Sequence, residues 1–119
     1  MAGPTFRALA AGCAALVYPS CSEGGGGCVI GCMHAGLVPL VTREASVDLS
    51  PEYGVTIEGD GVEALRDTVR RVSALSPARL KEMSRAAWAF ARERHTRETF
   101  AAGYRRAIEQ LLDARPAGR

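Results

Sequence analysis

Ala14-Ala15-Leu16-Val17-Tyr18-Pro19-Ser20-Cys21-Ser22-Glu23-Gly24-Gly25-Gly26-Gly27 is the stretch that decides the fold class. Residues 14–18 are a short, continuously apolar run between Gly12 and Pro19, the pattern of a strand buried on both faces of a parallel sheet. The loop after it is too rich in glycine for regular structure. It leads into Cys28-Val29-Ile30-Gly31-Cys32-Met33-His34-Ala35, which reads as a short helix ending at Gly36. Val38-Pro39-Leu40-Val41-Thr42 is then a second apolar strand, with Pro39 close to its start, where a missing N–H does least damage. Strand, loop, helix and strand in this order form a right-handed crossover. Such a unit carries its loop to the carboxyl edge of the sheet, where open α/β sheets bind ligands.

Upstream, Phe6 to Ala11 reads as a helix end, and Gly12 suits the left-handed residue that commonly stops a helix. Downstream, Arg43 to Tyr53 is a polar connection and Gly54-Val55-Thr56-Ile57 a short edge strand. A helical pattern starts at Asp60, with Glu63 three residues on as a capping box and Val62, Leu65, Val69 and Val72 as its apolar face. Ser76-Pro77 opens a second helix with a cap followed by proline at the first helical position, and Leu80, Met83, Ala87 and Phe90 form its buried stripe. Trp88 reads as a packing residue of the same helix, and Arg70-Arg71 and Arg92-Glu93-Arg94 as solvated faces. Thr96 caps a last helix in which Phe100, Tyr104, Ala107, Ile108 and Leu111 recur at helical spacing. Residues 114–119 read as a disordered tail. So few strands leave a parallel sheet with an uncovered edge, which implies neighbours supplied from upstream or by a partner.

Composition bounds the function. The 119 residues, 47% hydrophobic and 24% charged, describe an ordinary globular chain. A net charge of +2 is too small to imply a nucleic-acid partner, since phosphate binding needs a clustered basic surface rather than a slight excess, and none is expected. Arg7 followed by Leu9-Ala10-Ala11-Gly12-Cys13 hints at a lipoprotein signal, but its apolar core falls short of the roughly 7–15 residues required, so a cytoplasmic chain is expected. Membrane association is left open. Cys13, Cys21, Cys28 and Cys32 follow no paired zinc spacing even with His34 nearby, and read as reduced, buried, inert thiols; no metal is expected.

The loop carries the chemistry. Consecutive glycines let backbone N–H groups approach a ligand with no Cβ in the way, and the start of the next helix adds partial positive charge for an anion. Glu23 accepts hydrogen bonds from vicinal hydroxyls and repels phosphate, so it suits a sugar while the amides of Gly24, Gly25, Gly26, Gly27 and Cys28 suit the phosphate end. The plainer reading is a flexible turn with Glu23 capping the helix or facing solvent. Neither a phosphate-binding Gly-Lys-Ser/Thr loop nor a dinucleotide fingerprint is present.

Pro19-Ser20-x-x-Glu23-Gly24-x-Gly26 followed by Met33-x-Ala35-Gly36-x-x-Pro39-Leu40-Val41 resembles the donor-site signature of group 1 glycosyltransferases of the GT-B fold. The resemblance implies an α/β, Rossmann-like half-domain, with residues 1–113 forming the C-terminal part of a nucleotide-sugar-binding domain. It also implies retaining sugar transfer without a protein-bound metal or other cofactor, and a nucleotide-sugar donor as partner. Glu23 then contacts the donor sugar's hydroxyls, and the amides of Gly25, Gly26 and Gly27 approach sugar and phosphate. The family's second glutamate, which often holds the nucleotide ribose, falls here on Gly31. Its basic residues for the departing diphosphate lie upstream of the matching segment, and Arg7 does not replace them. No catalytic residue is assigned, and activity is expected to need an N-terminal domain. The competing expectation is a non-catalytic, degenerate interaction module that binds a protein through its open sheet edge.

Overall fold

A computed structural model describes residues 3–114. In chain order the elements are α1 (Pro4–Ala11), β1 (Ala15–Tyr18), α2 (Gly27–His34), β2 (Val38–Val41), a 3-10 turn (Arg43–Ala45) and β3 (Val55–Thr56), followed by α3 (Gly61–Ser73), α4 (Pro77–Arg94) and α5 (Arg97–Asp113). The expected α/β arrangement is present as a three-stranded, all-parallel sheet in the order β1-β2-β3 with flanking helices. Of the tail expected at 114–119, Ala114 closes α5 and residues 115–119 lie outside the described residues.

The central strand is β2, not β1. All of β2 is buried, whereas β1 lies at the edge with Val17 40% exposed, which corrects the expectation that β1 is buried on both faces. Pro39 fits the central strand for a geometric reason. Val38 N–H donates to Ala14 O on the β1 side, so position 39 faces β3, and that ladder begins only at Leu40 opposite Val55.

Alternation along β2 divides the core. Val41 packs with Val29 and Met33 of α2 and with Ala87 and Ala91 of α4. Val38 and Leu40 belong to a second cluster with Val72 of α3 and Met83 of α4. Each of the Val, Leu and Met side chains among these contributes about 1.5–3 kcal/mol by leaving water. Ser84 Oγ donates to Gly36 O at 2.6 Å and His34 Nε2 to His95 O at 2.9 Å, tying the end of α2 to α4.

The caps and stripes are partly as expected. Ser76 accepts from Arg79 N–H and Thr96 from Thr99 N–H, as proper helix caps do. Asp60 occupies the cap position of α3 but makes no capping bond, and Glu63 pairs with Arg66 at 2.7 Å, so the expected capping box is absent. The buried face of α3 also turns away from Val62 and Val69, which are exposed, toward Thr68 and Val72. Thr68 is tolerated inside because its hydroxyl donates to Ala64 O at 2.8 Å. Trp88 is a surface residue with the Arg92 guanidinium 5.3 Å from its ring centroid, whereas Phe90 stacks on Tyr53 at 4.6 Å. Among the four cysteines only Cys32 is buried, which corrects the expectation of four inert interior thiols.

Candidate functional site

The loop after β1 is built from the strand outward. Pro19 ends the ladder, and Thr42, just past β2, donates its hydroxyl to Ser20 O. Ser46, at the end of the 3-10 turn, donates to Glu23 O at 2.9 Å. Two neighbouring segments therefore hold the loop's backbone. The Glu23 side chain is half-buried, and its Oε1 accepts from Tyr18 OH at 2.5 Å and from Ser20 Oγ at 3.3 Å. Donation to that carboxylate, assisted by partial desolvation, raises the Tyr18 hydroxyl pKa. No hydrogen bond to Oε2 occurs among the described residues.

The four glycines divide into two kinds. Gly26 is buried with φ 55°, and a Cβ there would run into the Val47 side chain and come within 3.0 Å of Ala45 O. Packing inside the protein requires that glycine. A Cβ on Gly24, Gly25 or Gly27 would meet nothing within 4 Å, and none of these three has a positive φ. Among the described residues, no backbone N–H from Gly24 to Val29 has an acceptor. The last of these donors form the N-terminus of α2, where Cys28 also presents an exposed thiol. Glu23, Gly24, Gly25, Gly26, Gly27 and Cys28 thus form a continuous arc with one constrained carboxylate and a run of unpaired donors.

A cavity of about 510 Å³ lies beside this arc at the carboxyl ends of all three strands, lined in part by Ser20, Cys21, Thr42, Glu44, Ile57 and Asp60. Glu23 and the glycines do not line it. Glu23 meets it through Ser20, which touches both. Tyr18, Thr42 and Glu44 carry no site signal in the sequence, because strand-end and connection residues become neighbours only once the sheet forms. Asp60, expected to cap α3, makes no capping bond and is among the residues lining the cavity. Glu44 and Asp60 make this cavity suited to hydroxyl donors and hostile to phosphate. The unpaired amides next to it have the opposite preference.

Gly31 lies within α2, half-buried, and a Cβ there would meet nothing within 4 Å. Burial pushes the Cys32 thiol up to about 11, with a smaller contribution from neighbouring Cys28. No set of three or more His, Cys, Asp or Glu side chains able to share a metal occurs among the described residues. Among those residues no helix is long and apolar enough to cross a membrane.

No family model, curated protein or solved structure matches the chain.

Proposed function

We propose that this chain is the donor-binding C-terminal portion of a retaining glycosyltransferase, taking a nucleotide-sugar on the arc from Glu23 to Cys28. One observation carries the reading. Gly24, Gly25 and Gly27 leave open space that the protein's own packing does not require, directly over amides with no internal acceptor and beside a carboxylate whose other oxygen is already held. In this reading the amides and the α2 N-terminus receive the diphosphate and Glu23 accepts from sugar hydroxyls. The acidic cavity at the strand ends takes further hydroxyls of the donor. Catalytic groups and the acceptor site belong to an N-terminal domain beyond this chain, and the outer edge of β1, unpaired among the described residues, is consistent with strands supplied from there.

Titration of the 119-residue chain with a panel of nucleoside-diphosphate sugars tests this. Glu23→Ala removes hydrogen bonds to a charged group, worth about 1.5–3 kcal/mol, and should weaken binding on the order of tenfold to a hundredfold. Equal affinity of wild type and variant for every donor that binds removes Glu23 from the site. Gly31→Glu restores a carboxylate where space is open and should tighten nucleoside binding. A second reading, a non-catalytic interaction module, is favoured by the edge position of β1 and gains if no nucleotide-sugar binds.

A further inference from the structure

We infer that Tyr18 is the positioning residue of this site: its hydroxyl holds Oε1 of Glu23, so that Oε2 is the oxygen presented to the donor sugar. The inference rests on the nucleotide-sugar reading of the arc from Glu23 to Cys28. Tyr18 ends β1, paired with Val41 of the buried central strand, and its ring packs against the core cluster of Val29, Met33 and Val41. A tyrosine has only two side-chain torsions, so this packing leaves its hydroxyl little freedom. The hydroxyl donates to Oε1 at 2.5 Å, a length typical of a hydroxyl on an ionised carboxylate.

The backbone of Glu23 is fixed independently. Ser46 Oγ donates to Glu23 O at 2.9 Å, and Ser46 is the one non-glycine residue with a positive φ among the described residues, at 53°. A serine held in the left-handed region marks a place where the surrounding structure overrides backbone preference. Ser20 does not duplicate Tyr18. Its Oγ lies 3.3 Å from both Glu23 Oε1 and Ser22 O, with one proton for the two. A glutamate on a glycine-rich loop otherwise samples many rotamers, and fixing one on binding costs affinity. With Oε1 and the main chain both held, that ordering is complete on folding. Oε2, which accepts no hydrogen bond among the described residues, is left for a sugar hydroxyl. Folding alone does not require the bond, because Tyr18 is only half-buried and its hydroxyl has water as an alternative partner.

The test is a double-mutant cycle on the full 119-residue chain, titrated with UDP-glucose, UDP-N-acetylglucosamine, GDP-mannose and ADP-glucose. Tyr18→Phe keeps the ring and its packing, and should weaken every donor that binds the wild type by about threefold to tenfold. In the Glu23→Ala background the same change should add no loss, because Tyr18 acts through a carboxylate that is no longer there. A second readout needs no donor. The bond to Glu23 is the main cause of the raised Tyr18 pKa, so Glu23→Ala should bring the Tyr18 ionisation back toward its ordinary value, followed by the ¹³Cζ resonance of tyrosine-labelled protein. Equal donor binding by wild type and Tyr18→Phe overturns the inference and leaves the donor reading in place. An equal loss in both backgrounds does the same, since it assigns Tyr18 to the fold alone, and so does a Tyr18 ionisation that Glu23→Ala does not move. Failure of every donor to bind the wild type overturns the donor reading and this inference with it.

Discussion

Adjacent glycines in the loop have opposite requirements. Gly26→Ala forces a Cβ into Val47 and the Ala45 carbonyl at a positive φ, and should cost about 1–3 kcal/mol in urea denaturation. Gly25→Ala meets open space, so it should leave stability unchanged or raise it by about 0.5 kcal/mol while weakening donor binding. Loss of stability in Gly25→Ala would assign that glycine to packing. The thiols separate just as sharply. In native protein at pH 8, a thiol reagent should label Cys13, Cys21 and Cys28 quickly and Cys32 only after unfolding. The folded Cys32 pKa, near 11, exceeds its reference value of 9.0, so its contribution to stability is complete below pH 9 and is lost as pH rises toward 11. Alkaline denaturation of Cys32→Ala should show a shallower decline across that window. The glycine run and Glu23 were legible in the sequence because loop chemistry is local. The Tyr18 bond to Glu23 was not, since it depends on the loop folding back over its own strand.

Helix starts and strands were legible where a local rule coincided with packing. Ser76-Pro77 places both a cap and a tolerated proline at one helix start, and the bond to Arg79 N–H forms. Asp60 and Glu63 have the same one-dimensional spacing, but Glu63 pairs with Arg66 and leaves the box open. Stability should reflect this: Ser76→Ala costs about 1 kcal/mol, and Asp60→Ala only the few tenths that a charge near a helix N-terminus supplies. Equal losses in denaturant titrations would mean that Asp60 caps α3 in solution. The face of α3 was misread because Thr68, polar in any sequence scale, is buried by bonding its own helix, and this rotates Val62 and Val69 outward. Met33, fully buried where α2 meets β2 and α4, tests that packing. Met33→Ala should cost about 2–5 kcal/mol.

The whole molecule is longer than its residue count implies. Its radius of gyration is 17.5 Å and its longest extent 62 Å, against about 13–14 Å for the radius of a compact chain of similar length. α5, which meets other elements only at isolated points, adds to this extension; its periodicity was legible but its exposure was not, because an apolar stripe reads the same whether or not anything covers it. The edge position of β1 follows the same logic. An apolar run signals a strand, and only the strand order reveals which strand is central. At this scale the sheet still accomplishes one thing the sequence did indicate, which is to carry the glycine loop to the carboxyl ends of parallel strands.

The most direct measurement is an amide-resolved NMR titration of the ¹⁵N-labelled chain with nucleoside-diphosphate sugars, which registers even millimolar binding. The amide resonances of Gly24 to Val29 should move together and saturably, and Glu23→Ala should suppress the response without unfolding the chain. Stationary resonances from Gly24 to Val29 with every donor, in a chain that remains folded, would contradict it.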